Sequence, residues 1–66
     1  MKIVLNGEER EVPEGLSVAA LLMHLCIAAG RIAIERNLEI LPRDKWEATQ
    51  VTPGDRFEIV HFVGGG

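Results

Sequence analysis

Apolar residues in this chain alternate, then recur every three to four positions, then alternate again, and each change of period marks an element. Met1, Ile3 and Leu5 fall on one side of an extended stretch, with Lys2 and Val4 on the other. That is the period-two pattern of a strand with one buried face. Asn6-Gly7 follows. The tightest hairpin turns need positive φ at both central residues, so a β-hairpin is predicted, returning over Glu9 to Val12 and ending at Pro13. Val18, Leu21, Leu22 and Leu25 then follow the i, i+3, i+4, i+7 spacing of a helix with one apolar stripe. Ser17 is placed to cap its first turn, and Leu16 and Leu21 are placed as a hydrophobic staple. The helix is predicted over residues 17–26, with Gly30 as the stop.

Beyond Gly30 the period returns to two. Arg31 to Arg36 reads as a strand, Asn37 as a turn, and Leu38 to Leu41 as a short edge strand. Pro42 to Trp46 reads as one helical turn with proline at its start. Thr52-Pro53-Gly54-Asp55 is a turn, and Arg56 to Val63 alternates as the last strand. Phe57, Ile59 and His61 share one of its faces; Glu58, Val60 and Phe62 share the other. One helix on one sheet favours a final strand lying parallel beside the first, in the middle. The expected fold is therefore α+β, a β-grasp (ubiquitin-like) mixed sheet of four or five strands with the helix on one face. The domain is taken as residues 1–63, with residues 64–66 as a flexible glycine tail.

Composition narrows the function. Sixty-six residues with 47% apolar and 26% charged positions suffice for one small core and leave little room for a deep cleft. A single Cys cannot make an internal disulfide, and with two separated His it offers no metal-ligand set. Seven basic residues against ten acidic ones argue against nucleic-acid binding. No apolar run reaches membrane-spanning length, and the chain starts directly on strand-like sequence, so a cytoplasmic location is expected. No nucleophile, base and orienting acid stand in a recognisable arrangement, so no catalytic residue is assigned. Cys26, one helical turn after Leu22, is expected to be a buried, inert thiol. His61 is expected to be partly buried and His24 solvated. Glu8, Glu9, Glu11 and Glu14 read as a solvated acidic face.

Gly64-Gly65-Gly66 follow directly on the strand expected at the centre of the sheet. Glycine is the residue most costly to order, so three of them add nothing to a fold. They read either as a frayed end or as an arm presenting its own α-carboxylate, able to thread a channel in which any Cβ would clash. A carboxylate must be activated, typically as an acyl-adenylate, before a nucleophile can attack it. On that reading the protein is a substrate handled by partner enzymes.

The segments Met1 to Glu8, Pro42-Arg43 with Trp46, Gly54-Asp55 and Ile59 to Gly66 together resemble the ThiS family, sulfur carriers of thiamine biosynthesis. The resemblance runs the whole chain in order. It implies that Gly66 is the covalent carrier site and that Gly64 and Gly65 form the tail. It implies adenylation of Gly66 with ATP by a ThiF-like, ubiquitin-activating-like enzyme, with no cofactor bound by the chain itself. A sulfur-donor protein then supplies a persulfide sulfur that replaces AMP. The resulting thiocarboxylate serves a ThiG-like thiazole synthase. Asn37-Leu38 departs from the Asn-Gly turn of many relatives.

Val4, Val60 and Phe62 are expected side by side on the sheet face without the helix, as a patch that docks both partners. Arg31, Arg36, Arg43 and Lys45 are candidate rim contacts. A carrier for molybdopterin synthesis or tRNA thiolation shares the tail chemistry, and a non-covalent β-grasp interaction module is the alternative from another class.

Overall fold

A computed structural model describes residues 1–62 of the chain. The tail expected at Gly64, Gly65 and Gly66 lies outside the described residues. β1 (Lys2–Leu5) and β2 (Glu8–Glu11) form the predicted antiparallel hairpin, closed by the Leu5–Glu8 pair. Asn6 and Gly7 both have positive φ, 49° and 83°, as a two-residue turn of the favoured twist requires. β2 is an edge strand with every residue exposed. Its three glutamates and one arginine make poor templates for edge-to-edge pairing.

α1 (Val18–His24) is capped as expected, the Ser17 hydroxyl accepting the Ala20 amide at 3.1 Å. Val18, Leu21 and Leu22 are buried on its inner face. The predicted stop at Gly30 is too late. Cys26 takes the left-handed conformation, φ 58°, and its amide donates to the Met23 carbonyl while that of Ile27 donates to Leu22. This pair of bonds satisfies the helix's last carbonyls and ends it before any glycine is reached. Ile27, packed against the core, supplies the apolar contact that accompanies such an ending. Cys26 itself is exposed, contrary to the buried thiol expected.

β3 (Ile32–Arg36), β4 (Glu39–Leu41) and β5 (Arg56–His61) complete a five-stranded sheet ordered β2-β1-β5-β3-β4. β5 runs parallel to β1 and antiparallel to β3, at the centre. One helix on a mixed five-stranded sheet of this order is the β-grasp fold. The core consists of Ile3, Leu5, Val12, Ile32, Ile34, Phe57 and Ile59 with the helix stripe, closed by Trp46 and Val51. Trp46 follows a 3-10 turn at Arg43–Lys45, and its indole N–H donates to the Leu41 carbonyl at 3.0 Å. His61, placed by alternation on the core face and expected to be partly buried, is exposed at the last position of β5, although Ile32 opposite it is buried.

Two turn asparagines extend the grip on β5. The parallel register with β1 is short, Val4 with Arg56 and Leu5 with Phe57. Asn6 carries it further: its amide donates to the Phe57 carbonyl at 2.9 Å, and its Oδ1 accepts the Ile59 amide at 2.8 Å. Asn37 does the same from the other side. Its amide donates to the Arg56 carbonyl at 2.8 Å, and its Oδ1 accepts the Arg56 amide at 3.0 Å. Each side chain stands in for a strand residue.

Candidate functional site

The chain's candidate chemistry lies beyond β5, so the described part of the site is the strand that leads there and the sheet face around it. β5 presents Arg56, Glu58 and Val60 to the face away from α1, alternating with buried Phe57 and Ile59. Val60 is 56% exposed and Phe62 52% exposed. The Phe62 amide donates to the Arg31 carbonyl at 2.9 Å, one step beyond the Ile32–His61 pair.

The register separates the three apolar residues expected together. Val4, half-buried, lies opposite Arg56, whereas Val60 lies opposite Ala33. Four residues of strand, about 13 Å at ~3.3 Å each, run between the two levels. Arg56 and Glu58 occupy that interval on the same face. Val60 and Phe62 therefore form the exposed apolar end of β5, and Val4 stands apart beside a charged middle. Glu35 and Glu58 face each other directly in that middle. Together with Leu38 and Arg56 they line a shallow cavity of about 140 Å³, below the ~300 Å³ at which small-molecule sites begin. Leu38, 90% exposed at φ 73°, and Ile40, 65% exposed, add apolar surface toward β4. Among the described residues no group of three or more His, Cys, Asp or Glu is arranged to hold a metal ion.

Asp55, expected from the sequence as a turn residue and part of the family resemblance, is the polar centre of this region. Its carboxylate is 4% exposed. It accepts the Thr52 amide at 2.8 Å, the Thr52 hydroxyl at 2.9 Å, Asn37 Nδ2 at 3.2 Å and Arg36 Nε at 3.1 Å. The Arg36 Nη2 closes an ion pair, also at 3.1 Å. Burial pushes the carboxyl's pKa up, but the bonds from Thr52, Asn37 and Arg36 outweigh it and hold the group below its ordinary value. The Asp55 carbonyl also accepts the Val4 amide at 2.9 Å, so this cluster fixes the start of β5 against β1. The signal was Asp three residues after Thr, the spacing at which a carboxylate reaches back to a turn amide.

Of the four basic rim candidates, Arg36 turns inward to Asp55. Arg43 donates to the Ala29 and Gly30 carbonyls and stacks 4.5 Å from the Trp46 ring centroid. Pro42-Arg43 with Trp46 is thus a structural clasp.

A mixed five-stranded sheet with its last-synthesised described strand at the centre, parallel to the first, and one helix on one face defines a ubiquitin-like β-grasp protein. The family comparison is specific: the ThiS family model matches residues 3–66, and the chain belongs to that family. The thiamine biosynthesis protein ThiS of Geobacter metallireducens superposes on it with a TM-score of 0.87 at 38% identity, covering all of both chains. The sulfur carrier protein ThiS of Escherichia coli is 29% identical over 66 residues, the whole of both chains. The thiazole synthase of Paramagnetospirillum magneticum is 47% identical across all of this chain, which spans only 20% of that protein's length. A second thiazole synthase, from Magnetococcus marinus, matches at 41% over the same share.

Proposed function

We propose that the chain is a sulfur carrier of thiamine biosynthesis, loaded at the α-carboxylate of Gly66. A ThiF-like partner transfers AMP from ATP to that carboxylate with release of pyrophosphate. The sulfur of a donor persulfide then attacks the acyl carbon, AMP leaves, and reduction of the remaining S–S bond by a thiol frees the thiocarboxylate. A thiazole synthase consumes it, returning the carboxylate. The protein supplies a stable body, a docking face and the reacting terminus; its partners supply catalysis, in the cytoplasm.

The observation that carries this reading is a family match running through the last glycine, at residue 66. The names of its relatives support the carrier role, and two thiazole synthases holding a stretch similar to this chain support that partner. Incubation with ATP, the activating enzyme and a persulfide donor is expected to raise the intact mass by the exchange of one oxygen for one sulfur. Deletion of Gly66 is expected to abolish the gain. No gain, under conditions that load an established carrier, would refute the proposal.

Val60 and Phe62 are the docking residues proposed on the open face, since both are half-exposed at the end of the described chain. Val4, beside Arg56, is placed at their margin. Phe62→Asp is expected to lower kcat/KM for loading by roughly tenfold or more, the usual effect of losing an apolar anchor. Thermal unfolding should not change. An unaltered kcat/KM would remove this face from the interface.

A further inference from the structure

Three consecutive carbonyls in the connection between α1 and β3, those of Ala29, Gly30 and Arg31, are all engaged. The Arg43 guanidinium takes the first two, and the Phe62 amide takes the third at 2.9 Å. The Phe62 bond extends the β3–β5 ladder one step past Ile32 and His61, to the last of the described residues. Ala28, Ala29 and Gly30 are exposed. Exposed connecting backbone opens readily, and a carbonyl carried on it anchors little unless something holds the loop.

Arg43 is itself held. It stacks on Trp46, which is buried, bonds the Leu41 carbonyl through its indole, and accepts the Ala19 amide on its own carbonyl at 3.1 Å. A continuous relay therefore runs from the core through Trp46, Arg43 and the strap at residues 29–31 to Phe62. We propose that Arg43 is a positioning residue for sulfur loading: it fixes the strap and so fixes the point at which the C-terminal segment is launched toward a partner's active site. This deepens the carrier reading and rests on it. A planar guanidinium suits the task because its fork spans two neighbouring acceptors while its face lies on an aromatic ring. A lysine has a single point of charge and cannot do both.

Arg43→Ala and Arg43→Lys test the proposal. Arg43 is on the surface, so both variants are expected to fold. Hydrogen exchange of the Phe62 amide is expected to speed up on the order of tenfold, with the Ile59 amide unchanged. In loading assays kcat is expected to fall on the order of tenfold while KM for the carrier stays within about twofold, because every docking side chain is retained and only the backbone hold on Phe62, hence delivery of the terminus, is weakened. Unchanged Phe62 exchange overturns the strap, and needs no partner enzyme to do so. Faster exchange with unchanged kcat overturns the positioning role, as does wild-type behaviour in Arg43→Lys. A wild-type chain that takes up no sulfur overturns the carrier reading instead, and the exchange measurement still decides the strap.

Discussion

Phe57→Ala is expected to remove most of the stability this domain has. Phe57 is the second residue of the central strand, with Leu5 opposite on one side and Arg36 on the other, and is 1% exposed. Deleting a buried aromatic ring costs about 3–5 kcal/mol, the lost burial plus the cavity left behind. A domain of this length has a total of only about 3–10 kcal/mol. Urea unfolding should therefore show a midpoint shifted far toward water, or no folded baseline at all. Val60→Ala, three residues along but exposed, is the control and should change stability by less than about 0.5 kcal/mol. A loss below about 1 kcal/mol for Phe57→Ala would mean that the core does not close around this ring.

Asp55→Ala is expected to cost about 3 kcal/mol, at the low end for a broken buried pair because the Arg36 side chain keeps 27% of its exposure. The variant leaves Arg36 Nε and the Thr52 amide without their acceptor. The wild-type effect depends on pH in a definite direction. The ordinary value is 3.8 and the folded value lies below it, so as pH falls the unfolded chain takes up this proton first. Stability from Asp55 is fully present above its ordinary value and is lost as pH drops through the lowered one. The difference in unfolding free energy between wild type and Asp55→Ala should be constant from neutral pH down to that range and shrink below it. A difference that stays constant in strong acid would show that the carboxylate's charge contributes nothing.

The elements legible in the sequence were those whose signals are local. Asn6-Gly7 announced its turn because few residue pairs tolerate positive φ twice, and the helix stripe announced its inner face. Alternation in β5 also told Phe57 from Glu58 correctly. What it could not give was register. Val4 and Val60 belong to one face by period alone, yet their separation depends on where β1 begins to pair with a strand some fifty residues away. The end of α1 was missed for a related reason, since the Leu22–Ile27 bond and apolar packing, not a glycine, select the stopping point. Asp55 is far in sequence from the adjacent Arg36 and Asn37, and their relation shows only once β3 and β5 lie together. Alternation likewise assigned His61 a side of the sheet but not whether anything covers it there.

The order β2-β1-β5-β3-β4 has a consequence for biosynthesis. The ribosome delivers the two outer hairpins first, and they share no ladder with each other until β5 slides between them. A nascent or broken chain ending before Arg56 lacks the keystone of its sheet, however well its helix has formed. Folding is thus timed to the arrival of β5, the last of the described strands to be synthesised. Fragments without β5 stay open to proteolysis, and a folded body certifies that synthesis has passed this central strand.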